Sequence, residues 1–193
     1  LDRLVSVLRA LDLSWEIVVV DDGSDDNTWA VLQEASRHIP TLRLVRLSRN
    51  FGKESALCAG LDAARGEAAI LMDGDLQHPP EIIPDFLRAW REGFLVVDGV
   101  KASRGKEALT YGLASRLFYR ILSRATGIDF LHASDFKLLD RRAIDAWKLL
   151  PERTVFFRGT VSWLGFPRKQ IPFFVAPRRA GKSSFTFWRL ARL

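Results

Sequence analysis

The chain alternates short apolar runs with stretches whose apolar residues recur every three or four positions. Residues 1–11 place Leu1, Leu4, Val5, Leu8 and Leu11 at helical spacing. Glu16–Val20 is β-branched and predicts a buried strand, which stops at Asp21-Asp22-Gly23-Ser24. Asp26 or Asn27 caps a helix running to about His38, closed by Pro40. Leu42–Leu47 predicts a second strand, Ser55–Arg65 a helix, and Ala68–Met72 a third strand ending at Asp73-Gly74-Asp75. Pro79-Pro80 opens a helix to about Arg91, and Phe94–Val97 predicts a fourth strand. This alternation predicts an α/β fold with a mostly parallel sheet flanked by helices. Ligands of such sheets bind outside the carboxyl ends of the strands. Both acidic clusters sit at such ends, so the pattern puts them in one crevice.

The second half is less regular. Residues 108–125 predict a helix with Arg116, Arg120 and Arg124 along one face, opposite Leu113, Leu117 and Ile121. Phe136–Leu139 reads as a short strand and Arg141–Leu150 as a helix. Thr154–Leu164 is apolar and aromatic around Arg158, Gln170–Val175 is a strand, and Ala176–Ser184 is a basic loop.

Composition sharpens the division between the halves. With 193 residues, 48% hydrophobic and 27% charged, the chain suits one globular domain. Residues 1–100 carry 10 Lys/Arg against 17 Asp/Glu, and residues 101–193 carry 19 against 6. That asymmetry predicts cation handling in the first half and anion or membrane-surface handling in the second. The single cysteine, Cys58, excludes a disulfide framework and a cysteine-based zinc site. No apolar run reaches the roughly 18 residues that a spanning helix needs.

Two carboxylates one residue apart, as in Asp73-Gly74-Asp75, can share a hard divalent cation, with Gln77 close by. Such a cation neutralises a diphosphate leaving group. With 15 Asp in the chain, the bare pattern is expected about once by chance, and a solvated acidic turn is the competing reading. Asp21-Asp22-Gly23 suits hydrogen bonding to a ribose hydroxyl or a base N–H, although helix capping accounts for Asp25, Asp26 and Thr28 equally well. A calcium loop is excluded, because the sixth position lacks Gly and the twelfth lacks Glu. Gly181-Lys182-Ser183 is not an NTPase phosphate loop, since Ala176 stands where that loop needs Gly. Arg178–Ser183 remains a basic loop suited to phosphate oxygens. His38, His78 and His132 lack metal-ligand spacing, so a histidine-bound metal is not expected; His78 adjoins the acidic turn.

The runs Val18–Thr28, Arg49–Ala64, Leu71–Pro84, Ser134–Arg142 and Glu152–Gly165, with an R-x-x-G-x-S element at Arg178–Ser183, resemble a known family in its own order. It is the membrane-associated, inverting family 2 glycosyltransferases acting on polyprenyl phosphates. The resemblance implies a GT-A (Rossmann-like) fold over residues 1–193. Residues 1–100 would form the nucleotide and metal half, and residues 101–193 the acceptor and membrane-facing half. Asp21, Asp22, Gly23 and Asp73 would contact the nucleotide. Asp73, Asp75 and Gln77 would hold Mg²⁺ or Mn²⁺. Asp75, Asp135 and Arg178 would be catalytic, while Lys101, Arg158, Arg178 and Ser183 would meet the phosphate or acceptor. The implied reaction moves a hexose from a nucleotide-sugar, UDP-glucose first and GDP-mannose second, to a polyprenyl phosphate. Its setting would be the cytoplasmic face of the cell membrane. An anionic membrane surface and a homo-oligomer of the intact protein are implied partners; nucleic acid is not.

Three departures from the family pattern stand out. The match begins inside the helix that follows the family's first, central strand, and it stops at Phe185–Leu193, where many relatives continue into transmembrane helices. Lys101 stands where Arg is common. The expectation is a fragment truncated at both ends, with a gap in the sheet. Two rival readings stay open: a family 2 enzyme glycosylating a polysaccharide or protein hydroxyl, and a basic nucleic-acid- or membrane-binding module without catalysis.

Overall fold

The computed structural model describes residues 1–75, 77–102, 135–151 and 157–174, with the side chain of Arg158 excepted. The elements are α1 (Asp2–Arg9), β1 (Ile17–Asp21), α2 (Thr28–His38), β2 (Leu42–Arg46), α3 (Lys53–Ala63) and β3 (Ala68–Leu71). A 3₁₀ turn (Pro80–Ile82) leads into α4 (Ile83–Arg91), followed by β4 (Val96–Lys101) and β5 (Lys137–Asp140). Then come α5 (Arg141–Lys148), α6 (Phe157–Trp163) and β6 (Arg168–Phe173). The predicted arginine helix 108–125 and the basic loop 176–184 lie outside the described residues.

The described strands form two sheets. β1 and β2 pair in parallel, with Ile17 opposite Leu42 and Asp21 opposite Arg46. The second sheet has the order β3-β5-β4-β6. In it β5 runs antiparallel to both β3 and β4, whereas β4 and β6 are parallel. β5 thus runs against the direction shared by β3, β4 and β6. The expected α/β frame is present with parallel pairing at β1-β2 and β4-β6, but the larger sheet is mixed, and the two sheets share no strand pairing among the described residues.

Burial follows from the apolar pairs Val96-Val97 and Leu138-Leu139 on the two central strands, all four of which are fully buried. Successive strand residues point to opposite faces. Val96 and Leu139 therefore join Cys58, Leu61, Trp147 and Phe157 in one core. Val97 and Leu138 join Ile82, Phe86, Phe136 and Phe173 in the other. A smaller core of Val5, Ile17 and Leu42 lies under the first sheet. α1 ties the sheets together, because Leu4 and Leu8 pack against both this core and the Phe86–Phe136 core. α3 does the same from another side: Leu61 enters the Trp147 core, while a Cβ on Gly60 would lie 3.4 Å from Val20 of β1.

Of the boundaries that differ from the sequence pattern, two concern the site. α3 starts at Lys53, two residues before the expected Ser55, because Gly52 at φ +94° turns the chain directly into the helix. β4 starts later than expected and runs on through Asp98-Gly99 to Lys101, so Lys101 is a strand residue. The sequence pattern ends this strand at Val97, before Asp98-Gly99. Here Asp98 is buried opposite Lys137, and Gly99 admits Phe136, which a Cβ would approach to 3.0 Å.

Candidate active site

The β1 tip divides its two carboxylates between different tasks. Asp21, 3% exposed, accepts at Oδ1 from the N–H of Ser24 at 3.1 Å and from its hydroxyl at 2.5 Å. Its Oδ2 is buried without a hydrogen-bond partner, 3.4 Å from Arg46 Nε. Asp22 instead accepts from the backbone N–H groups of Phe51 and Gly52, at 2.8 and 2.9 Å, and so fixes the entry to α3. Gly23, at φ +69°, lies so close to this segment that a Cβ would fall 2.4 Å from the carbonyl carbon of Arg49. Beside it opens a depression of about 580 Å³, lined by Gly23, Ser24, Arg46 and Arg49 among others. Its size suits a small-molecule ligand.

The β3 tip is organised by His78. This buried imidazole stacks on Phe136 at 4.7 Å and meets Phe173 edge-on at 5.7 Å. Its Nδ1 accepts from the backbone N–H of Asp73 at 2.9 Å, which places the ring proton on Nε2. Burial holds the imidazole below its ordinary pKa of 6.5, against the pull of Asp73. Asp75 accepts from the backbone N–H of Gln77 at 3.1 Å, closing the turn.

Lys53 connects this tip to the second half of the chain. Its Nζ lies 2.7 and 2.8 Å from the two carboxylate oxygens of Asp73, and 2.7 Å from Oδ2 of Asp135. Asp135 is 3% exposed and directly precedes Phe136, the ring under His78. Burial alone would lower the ammonium's pKa, but Asp135 and Asp73 raise it above the usual lysine value. The next residue of α3, Glu54, accepts from the N–H of Phe157 at 2.9 Å and so anchors the start of α6. One segment, residues 49–54, thereby touches both acidic tips, the β5 entry and α6.

Behind Asp135 lies a second charge group. Lys137 of β5 is 2% exposed, with its Nζ 3.3 Å from Asp98 and 5.7 Å from the centre of the Phe157 ring. Burial pushes its ammonium pKa down, and Asp98 opposes that shift. Arg168 of β6 reaches the other oxygen of Asp98 at 3.7 Å.

Asp22 and Gly23 thus meet the Arg49–Gly52 segment, Asp21 meets Ser24 and Arg46, and Asp73 and Asp135 meet at Lys53. Lys101 ends β4 in register with Phe173, which itself touches His78. Arg158 is the second residue of α6. Arg178 and Ser183 lie outside the described residues. Sequence reasoning missed Lys53 and Glu54 as site residues, although a Gly-Lys-Glu triplet at the head of an otherwise apolar helix was available as a signal. It also gave His78 only a neighbouring place.

Hard carboxylate oxygens at Asp73 and Asp75 suit Mg²⁺ or Mn²⁺. An ammonium already held by Asp73 marks the place as one that accepts positive charge. Among the described residues no three His, Cys, Asp or Glu side chains cluster closely enough to hold a metal by themselves.

The family model Glycosyl transferase family 2 matches residues 1–147. The chain belongs to that family. It is 40% identical over 189 residues to the uncharacterized glycosyltransferase sll0501 of Synechocystis sp., covering 97% of this chain and 59% of that protein. It is 36% identical over 179 residues to the bactoprenol glucosyl transferase of Shigella phage SfV, covering 92% and 58%. The chain therefore spans a little under three-fifths of these curated relatives. Among solved structures, the mannosyltransferase PcManGT of Pyrobaculum calidifontis, in complex with GDP-Man and Mn²⁺, superposes with a TM-score of 0.63 at 20% identity, covering 99% of this chain and 56% of that one. The family 2 chain thus has the GT-A architecture expected from its sequence.

Proposed function

We propose that the protein transfers a hexose from a nucleotide-sugar to a polyprenyl phosphate at the cytoplasmic face of the cell membrane. The reaction is inverting and depends on Mg²⁺ or Mn²⁺; UDP-glucose is the preferred donor, with GDP-mannose second. The observation that carries this reading is the segment 49–54, which links the Asp22 carboxylate of the β1 tip, the Asp73 tip and buried Asp135 through contacts of 2.7 to 2.9 Å. The likeness to a bactoprenol glucosyl transferase supports the choice of acceptor and sugar.

In this reading the nucleoside lies in the depression beside Gly23. Asp21 Oδ2, buried beside Arg46 and without a hydrogen bond among the described residues, would accept from a base N–H or ribose hydroxyl. Asp22 keeps the Arg49–Gly52 wall in place, which gives it a nucleotide-site role through the backbone. Asp73, Asp75 and Gln77 would hold the divalent cation, which supplies charge neutralisation for the departing nucleoside diphosphate. Lys101, Arg158, Arg178 and Ser183 would receive phosphate oxygens of the donor or acceptor.

Asp135 faces the acceptor. A phosphomonoester has its second pKa near ~6, so the attacking oxygen is already mostly deprotonated at neutral pH. Strong base catalysis is then unnecessary, and an Asp135 carboxylate held by Lys53 suits an orienting and electrostatic role. Attack on the anomeric carbon opposite the leaving diphosphate inverts that centre.

The test supplies the full-length protein in membranes with radiolabelled UDP-glucose or GDP-mannose and a polyprenyl phosphate. Label from UDP-glucose in the lipid fraction is the expected result. Label arriving only in polysaccharide or protein, or in nothing, would overturn the proposal.

A further inference from the structure

The ladder that joins β3 to β5 ends at the Leu71–Lys137 pair. Asp73 lies past that pair on one strand and Asp135 before it on the other, so no strand pairing aligns them. His78 bridges the same gap with its side chain. Its Nδ1 accepts from the Asp73 N–H at 2.9 Å, and that N–H makes no other hydrogen bond among the described residues. Its ring lies within 9° of parallel to Phe136, the residue after Asp135, with 4.7 Å between centres, and meets Phe173 edge-on. That floor is fixed. Phe136 is fully buried, its carbonyl accepts from the Gly99 N–H at 2.8 Å, and it fills the space that a Cβ on Gly99 would take. Pro79, next in sequence, disfavours a helical backbone at His78 and so restricts the ring from its own side.

Resting on the transferase reading, we propose that His78 is a positioning residue that aims the acidic turn at the divalent cation and the donor diphosphate. Its two contacts act separately. The Nδ1 acceptor pins the Asp73 peptide, and Asp75 closes the same turn on the Gln77 N–H at 3.1 Å, so one pin orients both carboxylates. The ring sets how far that turn stands from Asp135, by stacking on the neighbouring Phe136. Only a ring with its proton on Nε2 can accept at Nδ1, so the acceptor is a neutral imidazole or an isostere of that edge. An asparagine carbonyl oxygen takes nearly the place of Nδ1 and keeps the acceptor without the ring. A phenylalanine keeps the ring without the acceptor. Groups that orient metal ligands from behind change metal affinity by about 10- to 100-fold when they are lost.

The experiment compares full-length wild type with His78→Asn, His78→Phe and His78→Leu. Mn²⁺ binding with UDP, and again with GDP, is read from the loss of the free-ion paramagnetic resonance signal. The melting temperature is read on each protein without ligand. His78→Asn should melt below wild type yet bind Mn²⁺ with nucleotide within about threefold of it. His78→Phe should melt close to wild type but bind Mn²⁺ with nucleotide about tenfold or more weakly. His78→Leu, lacking both contacts, should bind as weakly as His78→Phe and melt as low as His78→Asn. A residue that only stabilises the fold would let Mn²⁺ affinity follow melting temperature through the series. That ranking, with His78→Phe binding like wild type, overturns the positioning role. Should His78→Phe fail to fold, His78→Asn against His78→Leu decides, since only the first keeps an acceptor, and equal affinities overturn the role. If wild type binds no Mn²⁺ with either nucleotide, the transferase reading falls and takes this role with it.

Discussion

Gly23 shows how much a single hydrogen can decide. Its φ of +69° disfavours any side chain, and a Cβ would sit inside the contact distance of the Arg49–Asn50 backbone. Rigid backbone cannot yield as a side-chain tip can. Gly23→Ala should therefore destabilise the fold by about 2 kcal/mol or more in urea unfolding, and weaken nucleotide binding in the same variant. Asp75 belongs to the same scale but to chemistry. Asp75→Ala should abolish transfer while leaving lipid association intact; unchanged turnover would remove the proposed metal role. The acidic types and their places at strand ends were legible in sequence. Which oxygen is bonded and which is left over was not. Asp21 and Asp22 are neighbours with identical side chains, and only the folded positions of Ser24 and Gly52 separate their tasks.

At the scale of elements, binary patterning found the strands and helices because half-buried elements repeat their apolar residues with period. It failed where charge is buried in a strand. Asp98 in β4 and Lys137 in β5 break the apolar rule, yet they satisfy one another across the sheet. The reversed direction of β5 was also illegible, since a long connection from 102 to 135 allows either sense. Asp140 illustrates a boundary that polar chemistry fixes firmly. One of its oxygens caps α5 through the Arg142 N–H at 2.9 Å, and the other accepts from Trp90 Nε1 at 2.7 Å. Asp140→Ala should cost about 2 kcal/mol, through the lost cap and an unpaired indole N–H. Burial alone would raise the pKa of this carboxyl, but Arg142 and Trp90 hold it below the usual 3.8. A depressed carboxyl stabilises the fold fully above its unfolded value and loses that contribution as pH falls through its folded one. The acid limb of the thermal-stability profile, below about pH 4, should accordingly flatten in Asp140→Asn.

On the scale of the whole molecule, the proposed reaction gives the acidic first half and the basic second half different partners. A cation and a nucleotide suit the first, and a lipid phosphate on an anionic surface suits the second. Binding to vesicles rich in anionic lipid should weaken markedly when salt rises from 50 to about 300 mM, as screening shortens the reach of surface charge. Salt-independent binding would assign the contact to apolar insertion instead. The two described sheets are held by α1 and α3, and α3 also carries the residues that couple the halves. Architecture and site therefore share one helix.

The most direct test of that coupling is calorimetric titration of the full-length protein with UDP-glucose, with and without Mn²⁺, in wild type and Asp75→Ala. Binding that needs Mn²⁺ in wild type, and disappears in Asp75→Ala, is the predicted result. Equal affinity with and without the metal, or in both proteins, would contradict a cation-bridged diphosphate at these strand tips.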